Sequence, residues 1–441
     1  MGTIARSIRK IDFRLFTALL LMGLIPTIYT TFRVYLIGQI PGDWGFNIAS
    51  QLAWVHLLYE IVQEALILPL FFFIGAVIHS KGDLENRIRT GSLVTFGIYA
   101  VLSLLLIVFA RPLLVFMAQD PSLIGQSATY IRLESVAMMV SVIVKFLVVV
   151  LVVMRKNTYL YLVLGLQMVL SVVLDTFLVS SLDVSLNLGV NGIAITNIIV
   201  NILLLGLVIA LLRREDVNVL SSNPLDFAWI RDLGKIGGLS GLESFVRNIA
   251  FMLMVIRMVN VVGEQGTFWV ANNFIWGWLL LPVIQLGELV KRDCGEQADE
   301  AVGKKTVGYF AITLTIVILW ILSIPLWTPF LRDVLKLDNH DAVRNIALVS
   351  LGFYVLFAFN NVIDSIFYGI GKTSYMLFQS IVINTLFYGT LYILFIMGVY
   401  RPTLMLIAVM FAAGIAFDSL LTYGMFIWML RKRNIRLFAS T

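Results

Sequence analysis

The chain is expected to be an all-α polytopic membrane protein of twelve transmembrane helices, and three observations predict it. Of its 441 residues 60% are hydrophobic and 13% charged, with a mean hydropathy of +0.94; soluble domains run near about 45–50% apolar and about 25% charged. Apolar runs of about 20 residues or more, the length a helix needs to cross roughly 30 Å of hydrocarbon, recur along the whole chain. The polar segments between them alternate between rich and poor in Lys and Arg, the pattern that marks the two sides of a membrane.

The runs fall near 15–39, 51–79, 91–118, 127–153, 157–181, 190–212, 234–262, 268–290, 305–331, 343–370, 374–397 and 402–430. The first follows a basic segment from Ser7 to Arg14. It is too long for a signal-peptide core and lacks a small-residue cleavage site, so it reads as a retained span. One set of connecting segments, both ends included, carries 22 Lys and Arg, among them Arg6, Arg9, Lys10 and Arg14 at one end and Arg431, Lys432, Arg433 and Arg436 at the other. The alternate set holds only Arg111, Arg332, Lys336, Arg344 and Arg401. Both termini are therefore expected in the cytoplasm, which agrees with an even number of spans.

Several function classes drop out. A single cysteine, Cys294, excludes a disulfide framework, and His56, His79 and His340 have no metal-ligand spacing. Basic residues sorted by membrane side account for the net charge of +6, so no nucleic-acid partner is needed. Gly371-Lys372-Thr373 is not a phosphate loop, because Ile366 stands where the motif needs glycine and the context is a membrane helix. With no nucleophile elbow and no zincin helix, an enzyme is not expected.

An internal duplication organises the chain. Leu68-Pro69 and Lys81-Gly82-Asp83 align with Leu281-Pro282 and Cys294-Gly295-Glu296 at an offset of 213 residues. "RKNTY" at 155–159 resembles "GKTSY" at 371–375, and Gly189-Val190 resembles Gly398-Val399. These landmarks keep their order, which predicts a six-helix bundle over 1–215, a cytoplasmic linker over 216–233 and a second bundle over 234–441. Six spans per half give both halves the same polarity, hence a pseudo-twofold axis along the membrane normal.

The residues also resemble a known family. A proline near the end of the second and eighth spans with a polar Gly-acid loop beyond it, "ATYIRLES" opening the fourth, "LGVNGIAIT" opening the sixth and Asp364 before "GIGKTS" closing the tenth are similar to the multidrug and toxic compound extrusion (MATE) family. The resemblance covers nearly the whole chain. It implies two six-helix bundles around a central cavity, exporting compounds in exchange for inward proton or sodium flow.

Ionisable residues inside apolar runs cost roughly 2.5 to 3.5 kcal/mol each on insertion scales and mark ion or substrate paths. Glu243 and Asp364 occupy positions where the family often carries acids. Counted from the cytoplasmic edge they lie within one turn of the same depth, and Asn360 and Asn361 stand on the Asp364 face. Two carboxylates with amide oxygens suit a proton or sodium, the only metal ion expected. The rival reading is that Glu243 merely neutralises Arg247, four residues on. Where the family commonly has an Asp in its first span this chain has Arg33, which argues against carrying that site over. Arg33 is expected to pair with Glu60 or Asp175, and Lys145 with Glu64, either as a structural network or as a substrate or proton site. Asn272, Asn273 and Arg247 are further candidates, with Glu134, Glu288 and Asp418 as lesser ones; Trp269, Trp276, Trp278, Phe357, Phe359 and Tyr368 are candidate cavity linings.

The expected function is a secondary active exporter of small organic or drug-like compounds, working by alternating access without a cofactor. Alternatives are a flippase for a lipid-linked or amphiphilic solute and an exporter of an anionic metabolite; a channel is not excluded by the duplication. A monomer in a prokaryotic cytoplasmic membrane is expected, with the lipid bilayer and a small-molecule substrate as partners.

Overall fold

A computed structural model describes residues 2–40, 44–67, 69–219 and 224–437. Leu68, one of the repeat landmarks, lies outside the described residues. Among those residues every regular element is a helix, as hydrocarbon requires of a chain that must satisfy its own backbone groups. Among the described residues ten helices are long and apolar enough to cross a membrane, or eleven spans if the bent pair Gln265–Leu279 and Leu281–Gln297, which meet at 53°, counts as one. The chain is an integral multi-pass membrane protein.

The expected second span, 51–79, is the one that departs from a single rod. It forms Leu52–Leu66 and Leu70–Gly75. The 15 residues of the first piece cover only about 22 Å at 1.5 Å per residue. Pro69 is the cause: it has no N–H to give the Ala65 carbonyl, and its ring obstructs a continuing helix. The expected eighth span breaks just before Pro282, after a π turn over Ile275–Leu279. At that bend the Leu279 carbonyl accepts from Trp320 Nε1 at 2.7 Å, so the interrupted ladder is repaired by a side chain.

Helix packing divides the chain into two compact units, 36–266 and 1–35 with 267–441. In the unit 36–266, Ile124–Val153 is the central helix and packs against both Lys81–Phe116 and Val190–Arg214. Gly91 leaves room for the Phe146 ring and Gly192 for the Leu178 carbonyl, where added Cβ atoms would stand 2.7 Å away in each case. Helix Ile230–Phe251 continues through a π turn to Arg257–Val261 and lies along Leu52–Leu66. Glu215, just past Val190–Arg214, accepts from Tyr159 at 2.9 Å and pairs with Lys156. Those bonds, Lys156 first, hold its carboxyl below the ordinary value of 4.5. The tie therefore stabilises fully above that value and is lost as pH falls through the lowered one.

In the unit made of 1–35 and 267–441, His340–Gly369 is central and packs against Leu281–Gln297, Asp299–Pro329 and Leu404–Lys432. The short helix Gly2–Ile8 is fastened to Asp299–Pro329 by Ser7, whose hydroxyl donates to the Lys304 carbonyl at 2.8 Å and accepts from the Gly308 N–H at 2.9 Å. It stands between two backbone groups that a helix normally joins directly.

These units cut the chain elsewhere than the expected 1–215, 216–233 and 234–441. The first helix groups with the later segments, and Ile230–Val261 with the earlier ones. A repeat records which segments correspond, whereas a compact unit records which segments pack, so the six-plus-six division stays a proposal about the duplication.

The closest helix approach supplies a test. At Gly237 a Cβ would sit 1.8 Å from the Ala65 carbonyl oxygen and at Gly241 it would sit 2.8 Å from Ala65 Cβ. Gly237→Ala is expected to destabilise by about 1–3 kcal/mol, the usual cost of overpacking, while Gly238→Ala, which meets nothing within 4 Å, stays near wild type; thermal unfolding in detergent measures both.

Candidate functional site

Small residues at Gly237 and Gly241 let Ile230–Phe251 come close to Leu52–Leu66, as small-xxx-small spacing does in membranes. Less than two turns farther on, Arg247 consequently reaches across to the neighbouring helix. Its Nη2 donates to Glu64 Oε1 at 2.7 Å and Glu60 Oε1 at 3.2 Å. Its Nη1 donates to Glu243 Oε1 and Oε2 at 3.1 and 3.3 Å, and its Nε to Asn248 Oδ1 at 3.3 Å. The buried Asn248 is held by the Leu57 carbonyl at 3.1 Å and Ser244 Oγ at 3.3 Å. Glu60 and Glu64, like charges one turn apart, thus share one nitrogen donor. Three carboxylates still outnumber one guanidinium. The cluster is not sealed, since the Arg247 side chain is 36% exposed and that of Glu60 42%.

The expected pairing of Lys145 with Glu64 changes here. Lys145 does not take Glu64; it donates to Gln63 Oε1 at 2.9 Å, because Arg247 already occupies Glu64. Glu60 is likewise held by Arg247, and Arg33 lies over the Tyr29 ring at 5.3 Å. Asp175 is buried near the end of Asn157–Leu178. Glu134, also buried, accepts from Asn197 Nδ2 at 2.7 Å. Arg257 stacks on the Phe116 ring and donates to the Phe116 carbonyl at 2.7 Å.

Glu243 and Asp364 were expected to share one ion site, yet each is held in a cluster of its own unit. Asp364 lies on His340–Gly369 with Asn360 one turn before it. Asn360 Nδ2 donates to Asp364 Oδ2 at 3.0 Å and to Asp418 Oδ2, on Leu404–Lys432, at 3.3 Å. Gln379, on Thr373–Val382, lies beside both carboxylates. Asn360 and Gln379 are 0% and 3% exposed. Three oxygens of this group, Asn360 Oδ1, Asp364 Oδ1 and Gln379 Oε1, are buried without a hydrogen-bond donor. Unlike the Arg247 cluster, it brings two acids together with amides and no arginine or lysine hydrogen-bonded to either acid among the described residues. Such a set of acceptors is completed by a proton or a small hard cation.

Asn361 points elsewhere. Its Nδ2 donates to the Val283 carbonyl at 2.9 Å, in the space left by Gly287, which makes it a helix clamp rather than a member of the acidic pair. Glu288 forms an exposed pair with Lys291 at 2.6 Å. Asn273 donates to the Trp269 carbonyl at 2.9 Å and borders a cavity of about 150 Å³ with Thr27, Thr30 and Thr31; Asn272 is half-buried. Trp276 packs edge-on against Tyr354 and Phe357 at 6.1 and 5.3 Å. Gln379 escaped the sequence reading and Asp418 was ranked low, since three separate helices contribute to the cluster and no spacing along the chain links them.

No family model matches the chain, and no curated protein matches it. Solved structures do. The inward-facing conformation of a multidrug resistance MATE family transporter of the MOP superfamily superposes with a TM-score of 0.75 at 17% identity, over 94% of this chain and 96% of that one. An outward-facing conformation of such a transporter gives 0.66 at 17% identity over 100% of both chains. A MOP superfamily transporter from Pyrococcus furiosus, described as having a binding pocket of reverse polarity that suggests a different function, gives 0.69 at 16% identity over 100% and 99%. The chain therefore has the twelve-helix fold of MATE transporters, as the motifs led one to expect.

Arg247 holds three acids together, so its removal leaves them repelling one another. Arg247→Gln is expected to lower stability by about 2 kcal/mol, discounted for the partial exposure of the group. Adding Glu64→Gln should recover part of that loss. A double-mutant cycle by thermal unfolding decides, and additive losses would show that the two side chains are not coupled.

Proposed function

We propose that the chain is a secondary active exporter of small organic solutes and that Asp364, Asp418, Asn360 and Gln379 form its ion-coupling site, in exchange for an inward proton or sodium ion. The observation that carries this reading is the set of three buried oxygens without donors around two carboxylates, in a chain with a transporter fold. An acid pair of this kind changes its interactions when a cation or proton arrives. It can shift a conformational equilibrium only if its affinity differs between the two states, and alternating access of the two halves around a central site is the motion such a shift would drive. Glu243, tied to Arg247, is assigned to the second cluster and not to ion coupling. Both termini cytoplasmic, a monomer and the absence of any cofactor complete the proposal.

The Arg247 cluster bears on the substrate. Three carboxylates around one guanidinium leave an excess of negative charge in a partly open position, which favours a cationic solute. The flippase and anionic-metabolite alternatives rest on Arg33, Lys145, Arg247 and Arg257 facing a cavity unpaired, and they lose support because Arg247, Lys145 and Arg257 have hydrogen-bond acceptors and Arg33 lies over the Tyr29 ring.

Reconstituted vesicles test the coupling site. Wild-type protein is expected to move a monocationic dye uphill when a pH or sodium gradient is imposed, and whichever gradient works identifies the ion. Asp364→Asn and Asp418→Asn should each slow driven movement at least tenfold at unchanged thermal stability. Undiminished driven transport in both variants would reject the site, and purely downhill flux in the wild type would reject the exporter in favour of a channel.

A further inference from the structure

The unit made of 1–35 and 267–441 carries an apolar groove that the transport reading does not use. It has a volume of about 810 Å³ and runs between helix Phe13–Gly38 and Asp299–Pro329, from Ile8 and Phe13 at one end to Trp327 and Phe330 at the other. On Asp299–Pro329 its lining extends from Ala311 onward to Phe330 just beyond the helix, about 28 Å at 1.5 Å per residue, close to the thickness of a bilayer core. Thr315 and Ser323 are the only hydroxyl side chains in its lining. Leu319 and Leu326, on its wall, are 58% and 67% exposed, so the groove merges with an open apolar face of the same helix.

The groove starts at a strongly basic end. Arg9, Lys10 and Arg14 flank Ile8 and Phe13 in the chain, and all three are exposed. Ser7 fastens this segment to Lys304 and Gly308. The C-terminal segment arrives at the same place, with Arg433 paired to Asp299 and Ile435 against Gly303. The acids here are engaged: Asp299 by Arg433, Glu300 by Lys304, and Asp12 as acceptor for the Leu15 N–H at 3.0 Å. Basic clusters at the edge of a membrane helix attract anionic headgroups, and a long apolar slot that begins at such a cluster fits the chain attached to the headgroup.

We propose that this end of the unit and the groove beyond it hold one anionic phospholipid of the leaflet on the N-terminal side, with its phosphate at Arg9, Lys10 and Arg14 and an acyl chain along the groove. Charge complementarity at the mouth selects the headgroup, and continuity of the mouth with the groove selects a lipid over a free anion. The inference does not depend on the exporter reading.

Trp278, Trp320 and Trp327 line the groove and report on it. In nanodiscs, phosphatidylglycerol brominated at mid-chain is expected to quench wild-type tryptophan fluorescence at least twice as strongly as brominated phosphatidylcholine at equal mole fraction. The preference should vanish in R9Q/K10Q/R14Q and in 1 M salt, and Ala311→Phe, which fills the groove without adding a tryptophan, should reduce quenching by the anionic lipid at least twofold. Equal quenching of the wild type by the two lipids overturns the proposal without any variant. So does a preference that survives the triple substitution, or one that millimolar inorganic phosphate abolishes, which would indicate a site for the free anion.

Discussion

A charged or unpaired polar group in hydrocarbon must find its partner inside the protein, because no water is there to supply one. Nearly every notable feature of this chain follows from that constraint. Where Pro69 deprives the Ala65 carbonyl of its helical donor, the neighbouring helix presents Gly237 and comes close enough to cover it. Where Pro282 bends the later span, Trp320 donates to the Leu279 carbonyl. Where the early part of helix Asp299–Pro329 meets the N-terminal segment, Ser7 places its hydroxyl between Lys304 and Gly308.

The same constraint governs the ionisable groups and makes the two clusters chemically different. In one, a fixed guanidinium supplies the counter-charge and the acids are ordered around it. In the other, two acids share the amide of Asn360, and Asp364 Oδ1, Asn360 Oδ1 and Gln379 Oε1 have no donor. Carboxylates outnumber cations in both, but the acids of the first are hydrogen-bonded to a guanidinium, whereas those of the second are held by amides. The proposed division of labour between substrate attraction and ion coupling rests on where Arg247 sits.

Close packing and charge placement are linked through the helix Ile230–Phe251. Glycines at 237 and 241 bring it against Leu52–Leu66, and only at that separation does the Arg247 side chain span the distance to both Glu60 and Glu64. Bulkier residues at those glycines would widen the gap and strand Glu60 and Glu64, leaving Arg247 with Glu243 of its own helix. The apolar packing thus sets the electrostatics.

Much was legible in the chain itself. Runs of apolar residues, the sorting of Lys and Arg, and ordered proline and glycine landmarks are local properties of the chain, and they determined an all-helical membrane protein, the position of its spans and its likeness to the MATE fold. They also exposed Glu243, Arg247 and Asp364 as residues too costly to lie in lipid without a purpose. Partnership is another matter, because it depends on which helices touch and on how each is rotated. Arg247 gathers acids separated from it by more than 180 residues, Lys145 turns to Gln63, Asn361 clamps Val283, and Asp418 and Gln379 join Asp364 from two other helices. Helix periodicity places a side chain on a face, but only the packing of one face upon another decides what that side chain meets.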